Sequence, residues 1–149
     1  MKNGLWFEDF QTGRTFETGS RTVDDAAIRA FAAVSGDDNP LHLDDAYARA
    51  TPLAGRVAHG LLGAAITSGL VAQLGLTRGT LIALVGVRFD FERPIRPGAE
   101  VSARLLVRDT RPSSKRDRGV VVLEVELVDG SGEVLQRGEL TELIRRRPE

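Results

Sequence analysis

The segment from His59 to Leu74 constrains the fold more than any other part of the chain, because it is apolar on almost every helical face. Leu61, Leu62, Ile66, Leu70, Val71 and Leu74 are interleaved with the small residues Gly63, Ala64, Ala65, Ser68 and Gly69. A helix of about 16 residues would be roughly 24 Å long, and one that is apolar all round is buried. The small residues let a sheet approach its backbone closely. The stretch is too short, and too mixed with Gly, Thr, Ser and Gln, to span a bilayer. It reads as the central helix of a domain.

The period then changes. Val85, Val87, Phe89 and Phe91 alternate with Gly86, Arg88, Asp90 and Glu92, as in a strand with one dry face. Pro94 to Gly98 reads as a turn, and Val101, Ala103, Leu105 and Val107 alternate again. After a polar loop, Arg111 to Arg118, come Val121, Leu123, Val125 and Leu127. Asp129-Gly130-Ser131-Gly132 signals a hairpin. A last strand follows over about Glu133–Ile144, with Gly138 a candidate bulge.

Ahead of the central helix, Phe16–Thr22 reads as extended. Thr22-Val23-Asp24-Asp25 has the form of a capping box in which Thr22 accepts from an early helix N–H. Ile28, Phe31, Ala32 and Val34 predict a helix over about Asp24–Val34, stopped by Gly36. Asp44 or Asp45 caps a short helix through Ala46, Tyr47 and Ala48. Helices early and antiparallel strands late make an α+β class. No repeat or linker is visible, so residues 1–149 read as one domain.

Composition narrows the chemistry. With 20 basic and 21 acidic side chains the formal charge is −1, which supplies no global field for nucleic acid or an anionic membrane. Two basic stretches, Arg111–Arg118 and Arg145-Arg146-Arg147, have no aromatic residues among them on which bases could stack. They read as a solvated hairpin loop, which could meet coenzyme A phosphates, and as a soluble tail. The chain has no cysteine, so disulfides and thiolate chemistry are excluded. There are only two histidines, His42 and His59; a zinc site of several histidines is not expected, while an all-carboxylate site stays open. The N-terminus carries no apolar run before a small-residue cleavage site, so a cytoplasmic location is expected.

Ser35-Gly36-Asp37-Asp38-Asn39-Pro40-Leu41-His42 is the segment that can carry chemistry. It sets the Asp37 carboxylate and the His42 imidazole five residues apart across a turn held by Gly36 and Pro40. Both side chains can point into one cavity and hold a single water, and histidine is suited to move its proton near neutral pH. Read without wider context, the same pair equally fits a turn cap and a half-buried histidine.

The wider run Phe31-Ala32-Ala33-Val34-Ser35-Gly36-Asp37-Asp38-Asn39-Pro40-Leu41-His42-Leu43-Asp44 resembles the signature of the MaoC-like, R-specific enoyl-CoA hydratase family. The likeness continues in Val57-Ala58-His59-Gly60-Leu61-Leu62 and in Phe89-Asp90-Phe91-Glu92-Arg93-Pro94-Ile95-Arg96-Pro97-Gly98, and so covers about Thr22 to Gly98. It departs where relatives often have Gly-Asp and this chain has Gly98-Ala99. The resemblance implies a hot-dog fold, an antiparallel sheet wrapped around one long helix, working as a homodimer or larger homo-oligomer. It implies Asp37 and His42 as the catalytic pair, Gly60 N–H as oxyanion donor, Ser68 near the reacting centre, and Asn39 holding the turn or the water. No metal or cofactor is implied. The implied substrate is a trans-2-enoyl thioester of coenzyme A or acyl-carrier protein, hydrated reversibly to an (R)-3-hydroxyacyl thioester. Against this stand a hot-dog thioesterase, which commonly carries His-Gly-Gly where this chain has His59-Gly60-Leu61, and a non-catalytic acyl-binding subunit. His59 is expected to fix the loop that presents Gly60.

Overall fold

The computed structural model describes residues 4–148. Five antiparallel strands form one sheet: β1 (Thr15–Val23), β2 (Leu81–Phe91), β3 (Ala99–Pro112), β4 (Arg118–Asp129) and β5 (Val134–Arg145). Their order is β1-β3-β4-β5-β2. Four helices precede β2: α1 (Asp25–Ser35), α2 (Pro40–Leu43), α3 (Asp45–Arg49) and α4 (Gly60–Gln73). The arrangement is the α+β hot-dog architecture, with α4 as its central helix.

The inward residues of the sheet, among them Val101, Leu105, Leu123, Val125, Leu127 and Ile144, form one core with Leu62, Ile66 and Leu70 of α4 and with Ile28 of α1. The alternation read in the sequence marks the packed face in β3 and β4; in β2 it does not, since Val85, Val87 and Phe91 are exposed. Helix α1 starts where a side chain can take an orphan N–H. That residue is Asp24, which accepts from Ala27 N at 2.8 Å. The expected cap, Thr22, lies inside β1 and pairs with Glu100; pairing in the sheet outcompeted the local capping pattern. Asp44 caps α3 through Tyr47 N.

Two other expectations are corrected. Pro94–Gly98 is not a hairpin turn, because β2 and β3 are not neighbours; the connection crosses from one edge of the sheet to the partner of β1. Nor is Gly138 a bulge: the β4–β5 register shifts between Leu127 and Val128 instead. Gly138 makes room for an aromatic ring, since a Cβ there would lie 2.7 Å from Phe89 Cδ1. The C-terminal arginines are not a free tail either. Arg146 pairs with Glu8 at 2.9 Å and Arg147 with Asp9, tying the end of the chain to its beginning.

Helix α4 is buried on one side only. Leu62, Gly63, Ile66, Thr67, Leu70 and Val71 face the core, while Leu61 is 65% exposed and Ala65, Ser68 and Gly69 are exposed with it. One five-stranded sheet covers one helix face, and among the described residues no second layer covers the other. Edge strand β2 likewise exposes Leu81, Leu84, Val85, Val87 and Phe91. Its end meets α4 where the Phe91 ring crowds Gly60. No helix among the described residues is long and apolar enough to cross a membrane.

One charged side chain lies within the core face. Glu142 of β5 stands between Leu140 and Ile144, opposite Val121 and Leu84, and is 6% exposed with Oε2 unpartnered. Burial pushes its carboxyl up from 4.5 to about 7. The unfolded chain therefore releases this proton first, and stability is lost as pH rises from about 4.5 to about 7. Glu142→Gln should raise unfolding free energy at pH 8 by up to about 3 kcal/mol and leave it unchanged at pH 4. Denaturant melts at the two pH values check both halves.

Candidate functional site

The site is built where the α1–α2 turn meets the segment entering α4. Gly36 ends α1 in the left-handed region (φ 77°) and bonds back to Ala32 O, which turns the chain at the price glycine alone pays lightly. Ser35 Oγ donates to Phe31 O and accepts from Asp37 N at 3.2 Å. Asn39 Oδ1 accepts from Leu41 N at 3.0 Å, capping α2, and Pro40 supplies the first helical position. His42 thus sits on a short helix, α2, rather than in open turn. Asn39 holds that turn; its side-chain oxygen is engaged there.

Two imidazoles cross-link the site. His42 Nδ1 lies 2.7 Å from Val57 O, and His59 Nε2 lies 2.9 Å from Asp37 O. A carbonyl only accepts, so each of these nitrogens carries the proton. His42 Nε2 is left with a free lone pair. The two rings stack with centroids 3.8 Å apart, and Phe31 packs on His59 from 4.9 Å. His59 is 2% exposed, and its Nδ1 has no partner. Its ring holds the Asp37 carbonyl, and Gly60 is the next residue along the chain.

Single donor or acceptor atoms of Asp37, His42 and His59 all lie within 4.8 Å of one another. Two hydrogen bonds of about 2.8 Å meeting at the tetrahedral angle of a water span about 4.6 Å. A span of that order admits one bridging water between the Asp37 carboxylate and the His42 ring. A metal ion fits less well. Stacked rings aim their in-plane lone pairs along nearly parallel planes, whereas a zinc ion must lie in both ring planes about 2.0–2.1 Å from each nitrogen.

His42 opens on a cavity of about 330 Å³, whose walls include Val57, Gly60, Phe91, Ile95 and Gln136. Asp37 is exposed and is not among the residues that line it, so of the expected pair only His42 faces the cavity. Gly60 is the first residue of the 14-residue α4, where the N–H has no partner within the helix and the helix dipole is positive. A Cβ at Gly60 would lie 2.4 Å from the Phe91 ring, so any larger residue would have to displace that half-exposed ring. Ser68 is not brought to this group. It lies on the exposed side of α4, eight residues or roughly 12 Å along the axis from Gly60. Residues of the basic hairpin line a different groove, with Trp6 and Arg145–Arg147.

Three residues that the sequence reading did not assign to the site belong to it. Arg56 donates to Asp25, to Asp45 at 2.9 Å and to His42 O at 3.3 Å, with a side chain 13% exposed. The hydrogen bond to Asp25 above all, then that to Asp45, raises its pKa; Asp25 is lowered chiefly by Arg56 and then by Arg29. Gln136 and Phe91 reach the cavity from β5 and β2. No spacing joins these residues to the turn; only the tertiary fold does.

Residues 9–128 match the family model described as MaoC like domain. An (R)-specific enoyl-CoA hydratase of Aeromonas caviae is 34% identical over 114 residues, covering 76% of this chain and 81% of the relative. The structure superposes on the MaoC-like dehydratase from Rhodospirillum rubrum with a TM-score of 0.87 and 34% identity, covering 98% of this chain and 100% of that one. A Mycobacterium tuberculosis protein described as a double hot-dog fold shares the architecture, with a TM-score of 0.81 at 21% identity over 98% of this chain and 46% of that one.

Arg56→Ala would leave Asp25 without its strongest partner and the His42 segment without its clamp. Its unfolding free energy should fall by about 1–3 kcal/mol, measured by denaturant titration at neutral pH; an unchanged midpoint would show the clamp to be idle.

Proposed function

Because the chain belongs to the MaoC-like dehydratase family, a hydratase/dehydratase family, we propose that it adds water reversibly across the double bond of a trans-2-enoyl thioester, giving an (R)-3-hydroxyacyl thioester. The observation that carries this reading is the grouping of Asp37 with His42, polar atoms of the two lying within 4.8 Å of each other, where His42 and Gly60 line one cavity. The name of the Aeromonas caviae relative supports the enoyl-CoA substrate and the R configuration. An acyl-carrier-protein thioester presents the same reacting atoms.

The chemistry follows from the donors and acceptors in place. Asp37 and His42 Nε2 hold the water, and its oxygen bonds to C3 of the enoyl group as His42 takes a proton. The C2–C3 π electrons move toward the thioester oxygen, forming an enolate. Gly60 N–H, at the positive end of α4, receives that charge. The Asp37–His42 pair then returns a proton to C2, so one water is added and the pair ends as it began. The Val57 carbonyl keeps His42 in the tautomer this requires.

A homodimer accounts for the uncovered apolar side of the chain. Leu61 of α4 and Leu84, Val85 and Val87 of β2 are exposed apolar side chains that a second copy would cover. Ser68 would lie at that contact, away from the Asp37–His42 pair.

Asp37→Asn and His42→Ala should fold normally and hydrate crotonyl-CoA and longer enoyl-CoAs about 10²–10⁴-fold more slowly than the wild type. Loss of the enone absorbance reports hydration, and chiral analysis of the product reports configuration. Release of free thiol instead would identify a thioesterase, and neither signal a binding subunit. Val87→Glu should shift the sedimentation coefficient toward that of a monomer; an unchanged value would reject this dimer surface.

A further inference from the structure

Gln136 is a polar side chain in an apolar place. It lies on β5 against the first turn of α4, is 1% exposed, and borders the same cavity as His42 and Gly60. Its Nε2 donates to the Gly60 carbonyl at 2.9 Å, while Oε1 is sealed without a partner. Chemistry settles which amide atom is which, because the reverse orientation would press two oxygens together. Gly63 makes the space. A Cβ there would lie 2.4 Å from Gln136 Nε2 and 2.6 Å from Ile95 Cδ1. A methionine of similar shape would fill the same volume and leave no buried acceptor unpaired, so packing does not call for an amide here. Local conflicts of this kind concentrate at functional sites.

What the amide supplies is a grip on Gly60. An oxyanion donor works because it is oriented before charge develops. Glycine has the least restricted backbone of any residue, and the first turn of a helix lacks part of its hydrogen-bond ladder. Gly60 combines both weaknesses. The Phe91 ring crowds its Cα, and Gln136 holds its carbonyl.

We propose that Gln136 is a positioning residue for the hydration reaction, holding through the Gly60 carbonyl the position of Gly60, whose N–H receives the thioester oxygen. Gln136 itself touches no reacting atom. The inference rests on the hydratase reading above.

Gln136→Met removes the donor and keeps the bulk. This variant should unfold at or above the wild-type midpoint and keep the KM for crotonyl-CoA within about twofold, with kcat lowered about tenfold to a hundredfold. Gln136→Glu supplies the second arm. Protonated, the new carboxyl donates to the Gly60 carbonyl; ionised, it cannot. Its kcat, taken as a ratio to the wild type at each pH so that pH effects common to both enzymes cancel, should fall as pH rises. A Gln136→Met enzyme with wild-type kcat overturns the proposal. So does one that loses kcat and stability together while the Gln136→Glu ratio stays flat with pH, which marks a packing role. A wild type inactive on every enoyl thioester overturns the hydratase reading and this inference with it, whereas an active wild type with an indifferent Gln136→Met overturns the positioning role alone.

Discussion

The site depends on a reciprocal exchange between two stretches of chain. One stretch, following α1, gives the imidazole of His42 to the Val57 carbonyl. The other, leading into α4, gives the imidazole of His59 to the Asp37 carbonyl. The rings stack where the two bonds cross. Each bond satisfies a main-chain oxygen that secondary structure leaves over. Each also sets a tautomer, so one interaction fixes where the backbone goes and which nitrogen can accept a proton. Gly60 follows His59 directly, and the same cross-link therefore sets the start of α4 relative to Asp37 and His42.

Around this cross-link the fold supplies walls from distant parts of the chain. The β2–β3 connection crosses the sheet beside the site, where Ile95 O accepts from Ala58 N at 2.8 Å. Arg96 donates to the carbonyls of Leu53 and Gly55 from the same connection. Arg56 ties the His42 helix to α1 and α3. These contacts hold loops with few apolar residues of their own, which burial alone would leave loose.

Much of this was legible in the residues. The 3.6 period of α1, the period-two strands and the glycine that ends α1 at positive φ follow from local chemistry that tertiary contacts reinforce. The grouping of Asp37 with His42 was legible because a tight turn brings near neighbours together. What stayed hidden depends on long-range pairing. The β2–β3 crossover looks like a turn because Pro94-Ile95-Arg96-Pro97-Gly98 has turn composition whichever strands it joins. Gln136 reads as an ordinary strand residue until Gly63 and Gly60 are placed against it. Helix α4 looked buried throughout because hydrophobicity records that a face avoids water, without recording which chain provides the cover. Ser68 shows the cost of that ambiguity: the adjacent Thr67 turns inward and bonds to Gly63 O at 2.9 Å, while Ser68 turns out.

The two edges of the sheet are chemically unlike. Along β1, the outer residues include Thr15, Glu17, Ser20 and Arg21, all exposed, whereas β2 presents Leu81, Leu84, Val85 and Val87. An edge dressed in charge and hydroxyl groups resists strand addition, and an aliphatic one invites it. In the proposed dimer, association through the aliphatic edge would be symmetric and would consume the adhesive strand of both copies. The edges then left outermost would be the repellent ones, so growth would stop at a closed pair instead of running on into a ribbon.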